Sequence, residues 1–331
     1  MDQDIVKIPS SIFNSKEEKM KKIVIKVMVF VLLFLLSFVV ISKILVRKGN
    51  GYGSDVISFY HEPKNSLDLI FFGSSHSYAT FMPSVIKEET GLNSYNFATQ
   101  QQPLWISYYY MKEALRYQKP KYFVLEILMT SVDDEYMDEG VNRDAIDKMR
   151  FDLNKINAIN NSVATIDDRI SYYFNLIKYH SRWNELGKTD ILSLLPNHIL
   201  PSKGFTYLPK GDVVIEDIDL TNFKEVKELS SKNKNYLNKI IRLAKDNDIE
   251  LILVKSPAQN SKEKQAYYNS VEQIARENNV KYLNYNFLYK EIDLDLNNDF
   301  FDYGHLDSDG ARKVSLHFSK YLKEIEESKN D

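Results

Sequence analysis

The sequence contains no cysteine. That excludes thiol nucleophiles, thiolate metal sites and disulfides together. It leaves the compartment open, because a folded region of this size buries enough core to be stable without cross-links. A strong charge of one sign is also missing. The net charge is −3, and the first 46 residues hold seven lysines against four acids, which leaves −6 on the remainder. A mildly acidic folded region argues against nucleic acid as a partner, and any anionic ligand must be met by local charges. The six histidines show no zinc-type spacing, and the run Asp133-Asp134-Glu135 reads as a solvated loop. No metal centre and no cofactor is therefore expected. Internal repeats and low-complexity tracts are absent as well.

One long apolar run is present. Residues 23–46 read IVIKVMVFVLLFLLSFVVISKILV, with Ser37 the single polar residue between Val27 and Ile41. A helix of that length spans about 36 Å, enough for a hydrocarbon core of about 30 Å. Lys26 and Lys43 can snorkel to the headgroups. The run lacks a small-residue cleavage site, unlike a signal peptide, and it lacks the polar face of a helix lying on a soluble core. Lys16, Lys19, Lys21 and Lys22 precede it and Arg47 and Lys48 follow, so the positive-inside rule puts the N-terminus in the cytoplasm. The expected partition is a cytoplasmic tail over 1–22, a single-pass transmembrane helix over 23–46, a linker over 47–66 and an extracellular domain over 67–331 at the cell membrane.

After the linker, strand and helix patterns alternate. Strands are expected over 67–72, 94–98, 121–127, 249–254 and 280–283, and helices over 83–90, 104–117, 228–247, 261–278 and from 308 to about 326. Residues 130–225 break the alternation and read as a mainly helical insertion, placed as a lid. Apolar strands joined by helical crossovers predict an α/β fold with a doubly wound, five-stranded parallel sheet. Ligands of such sheets bind at the carboxyl ends of the strands.

Two motifs fall at that edge. Gly73-Ser74-Ser75 follows the first strand, where glycine permits a tight turn and the serine opens a helix whose N–H groups can face an oxyanion. Asp302-Tyr303-Gly304-His305 precedes the last helix. There a carboxylate can hold imidazole Nδ1–H and leave Nε2 to take a serine proton. Each motif also has a plain reading: a polar turn for the first, and for the second a loop whose Asp307 or Ser308 caps the final helix.

Taken together in this order, the motifs resemble the SGNH (GDSL-like) family of hydrolases and acyltransferases. The resemblance covers roughly residues 66–325. It implies Ser75 as nucleophile, His305 as base and Asp302 as its orienting partner. The chain departs from the family in having Ser74 where an Asp is usual. It also lacks the glycine after the second strand and the Asn block after the third. Asn96 and Gln101 are then the candidates nearest the oxyanion site, with a backbone N–H able to serve. The anchor, the Gly-Ser-Ser block and the sparse middle blocks are similar to membrane-anchored SGNH proteins of Gram-positive bacteria. That group includes the D-alanyl transfer protein of teichoic acid and the SGNH partners of membrane-bound O-acyltransferases. The resemblance implies a multispanning membrane-bound O-acyltransferase as acyl donor and a cell-envelope polymer as acceptor.

Three further residues are candidates for substrate binding. His76 adjoins the nucleophile and either touches substrate or points away. Lys255, after the fourth strand, either meets an anionic polymer or is an ordinary surface lysine. Arg182, in the cluster Tyr179-His180-Ser181-Arg182-Trp183, either lines a groove for sugars or phosphates or packs on the core. The leading expectation is O-acyl transfer to an envelope polysaccharide or teichoic acid through an acyl-Ser75 ester. An envelope-glycan esterase and a non-catalytic glycan-binding scaffold are the alternatives.

Overall fold

The strands are β1 (Leu69–Phe72), β2 (Ser94–Asn96), β3 (Tyr122–Glu126), β4 (Glu250–Lys255) and β5 (Lys281–Asn284), with the apolar runs in β1, β3 and β4. The structure is a computed structural model that describes residues 10–47, 56–133, 135–192 and 201–329, with backbone alone for 10–16, 189 and 192. The helices in chain order are α1 (Ser10–Leu45), α2 (Val56–Phe59), α3 (Ser75–Tyr78), α4 (Pro83–Thr90), α5 (Leu104–Ala114), α6 (Glu139–Ile146), α7 (Leu153–Ser162), α8 (Ile166–Tyr173), α9 (Asn175–Tyr179), α10 (Lys188–Leu192), α11 (Ser231–Lys245), α12 (Lys262–Glu277) and α13 (Ser308–Glu327). The strands make one all-parallel sheet in the order β2-β1-β3-β4-β5.

Successive side chains of a strand face opposite sides of the sheet. Ile70, Phe72, Phe123, Leu125, Leu251 and Leu253 therefore share one core, with residues of α5, α7, α11 and α12. Leu69, Phe71, Tyr122, Val124, Ile252 and Val254 share the other, with residues of α4 and α13. Burial on both faces is why these strands read as unbroken apolar runs rather than alternating ones. The helix limits follow local chemistry. Pro83 opens α4, and Gly91 closes it in the left-handed region at φ 76°. Asp307 caps α13 by accepting from the Asp309 and Gly310 N–H groups.

The chain divides into two compact units, Met1–Val46 with Phe174–Leu194, and Arg47–Tyr173 with Leu195–Asp331. In the first, α1 is one continuous helix whose Glu17–Leu45 stretch of 29 residues is long and apolar enough to cross a membrane. In the second, the segment read as linker joins the fold sooner than expected. Val56 and Phe59 are fully buried, and the Phe59 ring stacks on Phe97 at 3.9 Å between centroids.

Among the described residues the insertion is helical only in its first part, α6 to α10. Beyond residue 201 it is an irregular strap. Proline is the physical reason: Pro209 has no N–H to donate and biases Leu208 away from helix. The strap's backbone groups bond to the sheet unit instead. Asn96 N–H donates to the Lys203 carbonyl (2.9 Å), Thr206 N–H to that of Tyr78 (2.9 Å), Ser308 N–H to that of Leu208 (3.1 Å), and Gly211 N–H to that of Phe300 (2.9 Å). A Cβ on Gly204, at φ 78°, would run into the Asn96 carbonyl, and one on Gly211 into the Phe301 carbonyl. Both glycines let the strap lie flat on backbone. The strap thus ties the segment after β1 to the loop before α13.

Candidate active site

The strand order reverses between β1 and β3, since the chain leaves β1 for β2 on one side and returns to β3 on the other. A crevice outside the carboxyl ends of the strands is expected at that point. Gly73 makes the exit from β1. Its φ is 126°, and a Cβ there would stand 2.8 Å from the Glu126 carbonyl oxygen and 2.9 Å from Glu126 Cβ. Only glycine lets the turn pass so close to the end of β3. Ser74 then caps α3, its Oγ accepting from His76 N–H at 3.3 Å and donating to Glu126 Oε2 at 3.1 Å. Ser75 is the first residue of α3, a position whose N–H has no partner within the helix.

The loop before α13 closes on itself through a bridge between Phe300 and Leu306 and a bond from Phe301 N–H to the His305 carbonyl (2.9 Å). Asp302 Oδ1 accepts from Gly304 N–H (2.7 Å) and His305 N–H (2.8 Å), and the carboxylate faces His305 Nδ1 at 2.9 and 3.0 Å. An ionised carboxylate only accepts, so it fixes the tautomer with the proton on Nδ1. Nε2 is left as an acceptor, and it lies 2.7 Å from Ser75 Oγ. The residues read from the two motifs thus stand in one hydrogen-bonded row, able to move a proton from serine to imidazole. The row is reached by solvent, with 44% of the Asp302 side chain and 25% of that of His305 exposed.

Ser74 leads to a buried ion pair that no motif in the sequence marks. Glu126 at the end of β3 and Lys255 at the end of β4 are both at most 1% exposed, with Nζ 3.7 Å from Oε1. Lys255 also donates to the Ser256 carbonyl (2.5 Å), and Ser256 Oγ donates to the His76 carbonyl (2.9 Å). Burial raises the Glu126 carboxyl, opposed by the Lys255 charge. Burial likewise pulls the Lys255 ammonium down to about 8, opposed by Glu126. The pair holds Ser74 from below and so sets the turn that presents Ser75.

The other sequence candidates fall in different places. Lys255, expected either at an anionic polymer or as an ordinary surface lysine, is instead this internal partner of Glu126, buried at the end of β4. Asn96 is buried and donates from Nδ2 to the Phe81 carbonyl (2.8 Å), a tie between β2 and the segment after α3. Gln101 is exposed in a left-handed turn at φ 47°, while its neighbour Gln102 is the buried one, bonded to Thr99 and Ser107. Arg182 belongs to the unit of α1, where its guanidinium binds the Leu45 carbonyl and Asp190 Oδ1 (2.9 Å). Among the described residues no group of acids and histidines is placed to hold a metal ion. A residue not singled out from sequence is Tyr78, one helical turn after Ser75. Burial pushes its phenol up to about 12, with the Ser75 hydroxyl as a hydrogen-bonding neighbour pulling the other way, so it is neutral beside Ser75.

His76 is 6% exposed, its ring tilted 54° to that of His305 at 5.0 Å, and its Nδ1 is buried without a partner among the described residues. Burial first, then the positive charge of Lys255, hold it well below 6.5. In the unfolded chain the same imidazole takes up its proton near pH 6.5, before the folded one does. Stability from this group is therefore intact above pH 6.5 and falls as pH drops toward the folded value, with a limiting slope of about 1.4 kcal/mol per pH unit. Denaturation midpoints of the full chain in detergent, taken from pH 7.5 to 5.5, are expected to fall less steeply in His76→Gln than in the parent.

No protein-family model matches this chain, and no curated protein matches it.

Proposed function

We propose that the chain is a membrane-anchored, extracytoplasmic serine O-acyltransferase of the SGNH type. The observation that carries the proposal is the 2.7 Å contact from His305 Nε2 to Ser75 Oγ with Nδ1 held by Asp302. That arrangement suits a covalent acyl enzyme. Ser75 Oγ attacks the donor's acyl carbonyl while Nε2 takes its proton. The tetrahedral intermediate collapses, and His305 returns the proton to the leaving group. In the second half an acceptor hydroxyl gives its proton to Nε2 and attacks the acyl-Ser75 carbon, and Ser75 leaves with that proton. Asp302 stabilises the imidazolium in both halves. The Ser75 N–H, which opens α3 and has no partner within the helix, is free to donate to the developing oxyanion.

The donor in this reading is a multispanning membrane-bound O-acyltransferase. The group moved is acetyl or D-alanyl-like, and the acceptor is a cell-envelope polysaccharide or teichoic acid. α1 anchors the enzyme in a single pass, N-terminus in the cytoplasm. No cofactor enters the chemistry. Transfer requires that water be kept from the acyl enzyme, yet His305 and Asp302 are partly exposed. That exposure favours a second reading, an esterase of envelope glycans in which water is the acceptor.

The two are separated by product partition. Full-length protein in vesicles is given an activated acyl ester with rising amounts of purified envelope polymer. Transfer predicts ester on the polymer and a matching fall in free acid, both lost in Ser75→Ala. Free acid alone at every polymer concentration would leave the hydrolase.

A further inference from the structure

The last helices of the insertion's helical part belong with α1. α9, α10 and the turn between them are in one compact unit with α1. Leu45 and Val46 at the end of α1 bury themselves against Tyr179, with Leu176 packed on the cluster. Arg182 donates to the Leu45 carbonyl, one of the orphan acceptors at a helix end. The Arg182 guanidinium is itself held by Asp190 at 2.9 Å. The segment is thus fastened to the last turn of α1 by both apolar and polar contacts.

That fastening fixes its depth, given that α1 crosses a membrane as proposed above. The uninterrupted apolar run ends at Ile41, and Leu45 lies about 6 Å further along the axis. The polar layer on each side of the hydrocarbon core is about 5–7 Å thick. Leu45 and whatever packs on it therefore lie among the headgroups. The segment's composition suits that layer. Phe174, Ile177, Trp183 and Ile191 are 51%, 53%, 72% and 59% exposed. Lys178, Arg182 and Lys188 alternate with them, and Lys43 and Arg47 flank the end of α1. Exposed large apolar side chains in water are costly, whereas aromatic and basic residues together are favoured at a membrane interface.

We infer that residues 174–192 form a lipid-binding collar that lies in the headgroup layer around the end of α1, with Trp183 inserted among the lipids. The occupant of this apolar surface is the bilayer that α1 itself crosses, not a second protein.

The chain carries its own probe. It has two tryptophans, and Trp105 is 1% exposed in the core of the sheet unit. The full chain is reconstituted in vesicles of phosphatidylcholine and phosphatidylglycerol bearing a nitroxide at acyl carbon 5 or 12, and is checked by flotation. The expected result is emission that is blue-shifted, quenched more by the shallow nitroxide than by the deep one, and shielded from acrylamide. The lipid-quenchable part is expected to vanish in Trp183→Phe. Protein that floats with the vesicles while Trp183 stays open to acrylamide and unquenched by either nitroxide overturns the collar and leaves the anchor standing. Such a result would point to a protein partner or a second copy as the occupant. Protein that fails to float overturns the anchor, and the collar with it.

Discussion

Asp302→Asn is expected to slow turnover of an acyl ester on the order of 10³–10⁴-fold while leaving the protein folded. The asparagine oxygen can still accept from the Gly304 and His305 N–H groups, so the turn survives. Its amide nitrogen, however, only donates, and it favours the imidazole tautomer with the proton on Nε2. That proton would face Ser75 Oγ, and the base would be lost with little movement of any atom. Ester hydrolysis or transfer at saturating substrate, alongside a denaturation curve, checks both halves. A variant that retains near-parental turnover would show that Asp302 only caps the loop.

The Glu126–Lys255 pair carries the second large effect. Glu126→Leu leaves the Lys255 ammonium in a site with 1% exposure and no counter-charge. Breaking a buried pair from one side costs about 3–5 kcal/mol. Adding Lys255→Met, which removes the orphaned charge, is expected to return most of that loss. Activity should not return with it. Ser74 Oγ has lost its acceptor, and Ser74 sets the turn that places Ser75 against His305. Urea denaturation of parent, single and double variants, paired with turnover, separates the two effects. A double variant that is both stable and fully active would reduce the pair to a structural accident of the strand ends.

Much of the scaffold was legible because β1, β3 and β4 are short apolar runs. The helices around them carry their own stop signals: Pro83 and Gly91 bound α4, and Asp307 starts α13. The two motifs were legible because chemistry and order coincide, a glycine-serine turn after β1 and a carboxylate three residues before a histidine. The ion pair was not. Glu126 and Lys255 each end a strand, far apart in the chain, and nothing in either segment marks a partner. Only the parallel pairing of β3 with β4 brings them together. Taken by itself, Lys255 therefore reads as facing outward. The strap after residue 201 was hidden for a related reason. Its order comes from backbone bonds to distant loops and from Gly204 and Gly211 lying on foreign carbonyls, not from any periodic pattern. From sequence, Arg182 either lines a groove or packs on the core. Its bond to the Leu45 carbonyl depends on a contact between the insertion and α1 that the sequence does not announce.

The central claim is that Ser75 is an activated nucleophile, and covalent labelling tests it most directly. Full-length protein in detergent at neutral pH is treated with a fluorophosphonate, digested and read by mass spectrometry. The account predicts one adduct, on Ser75, formed far more slowly in Asp302→Asn and absent in Ser75→Ala. A folded parent protein that takes no label on Ser75, or one labelled at the same rate when His305 is replaced by alanine, would contradict it.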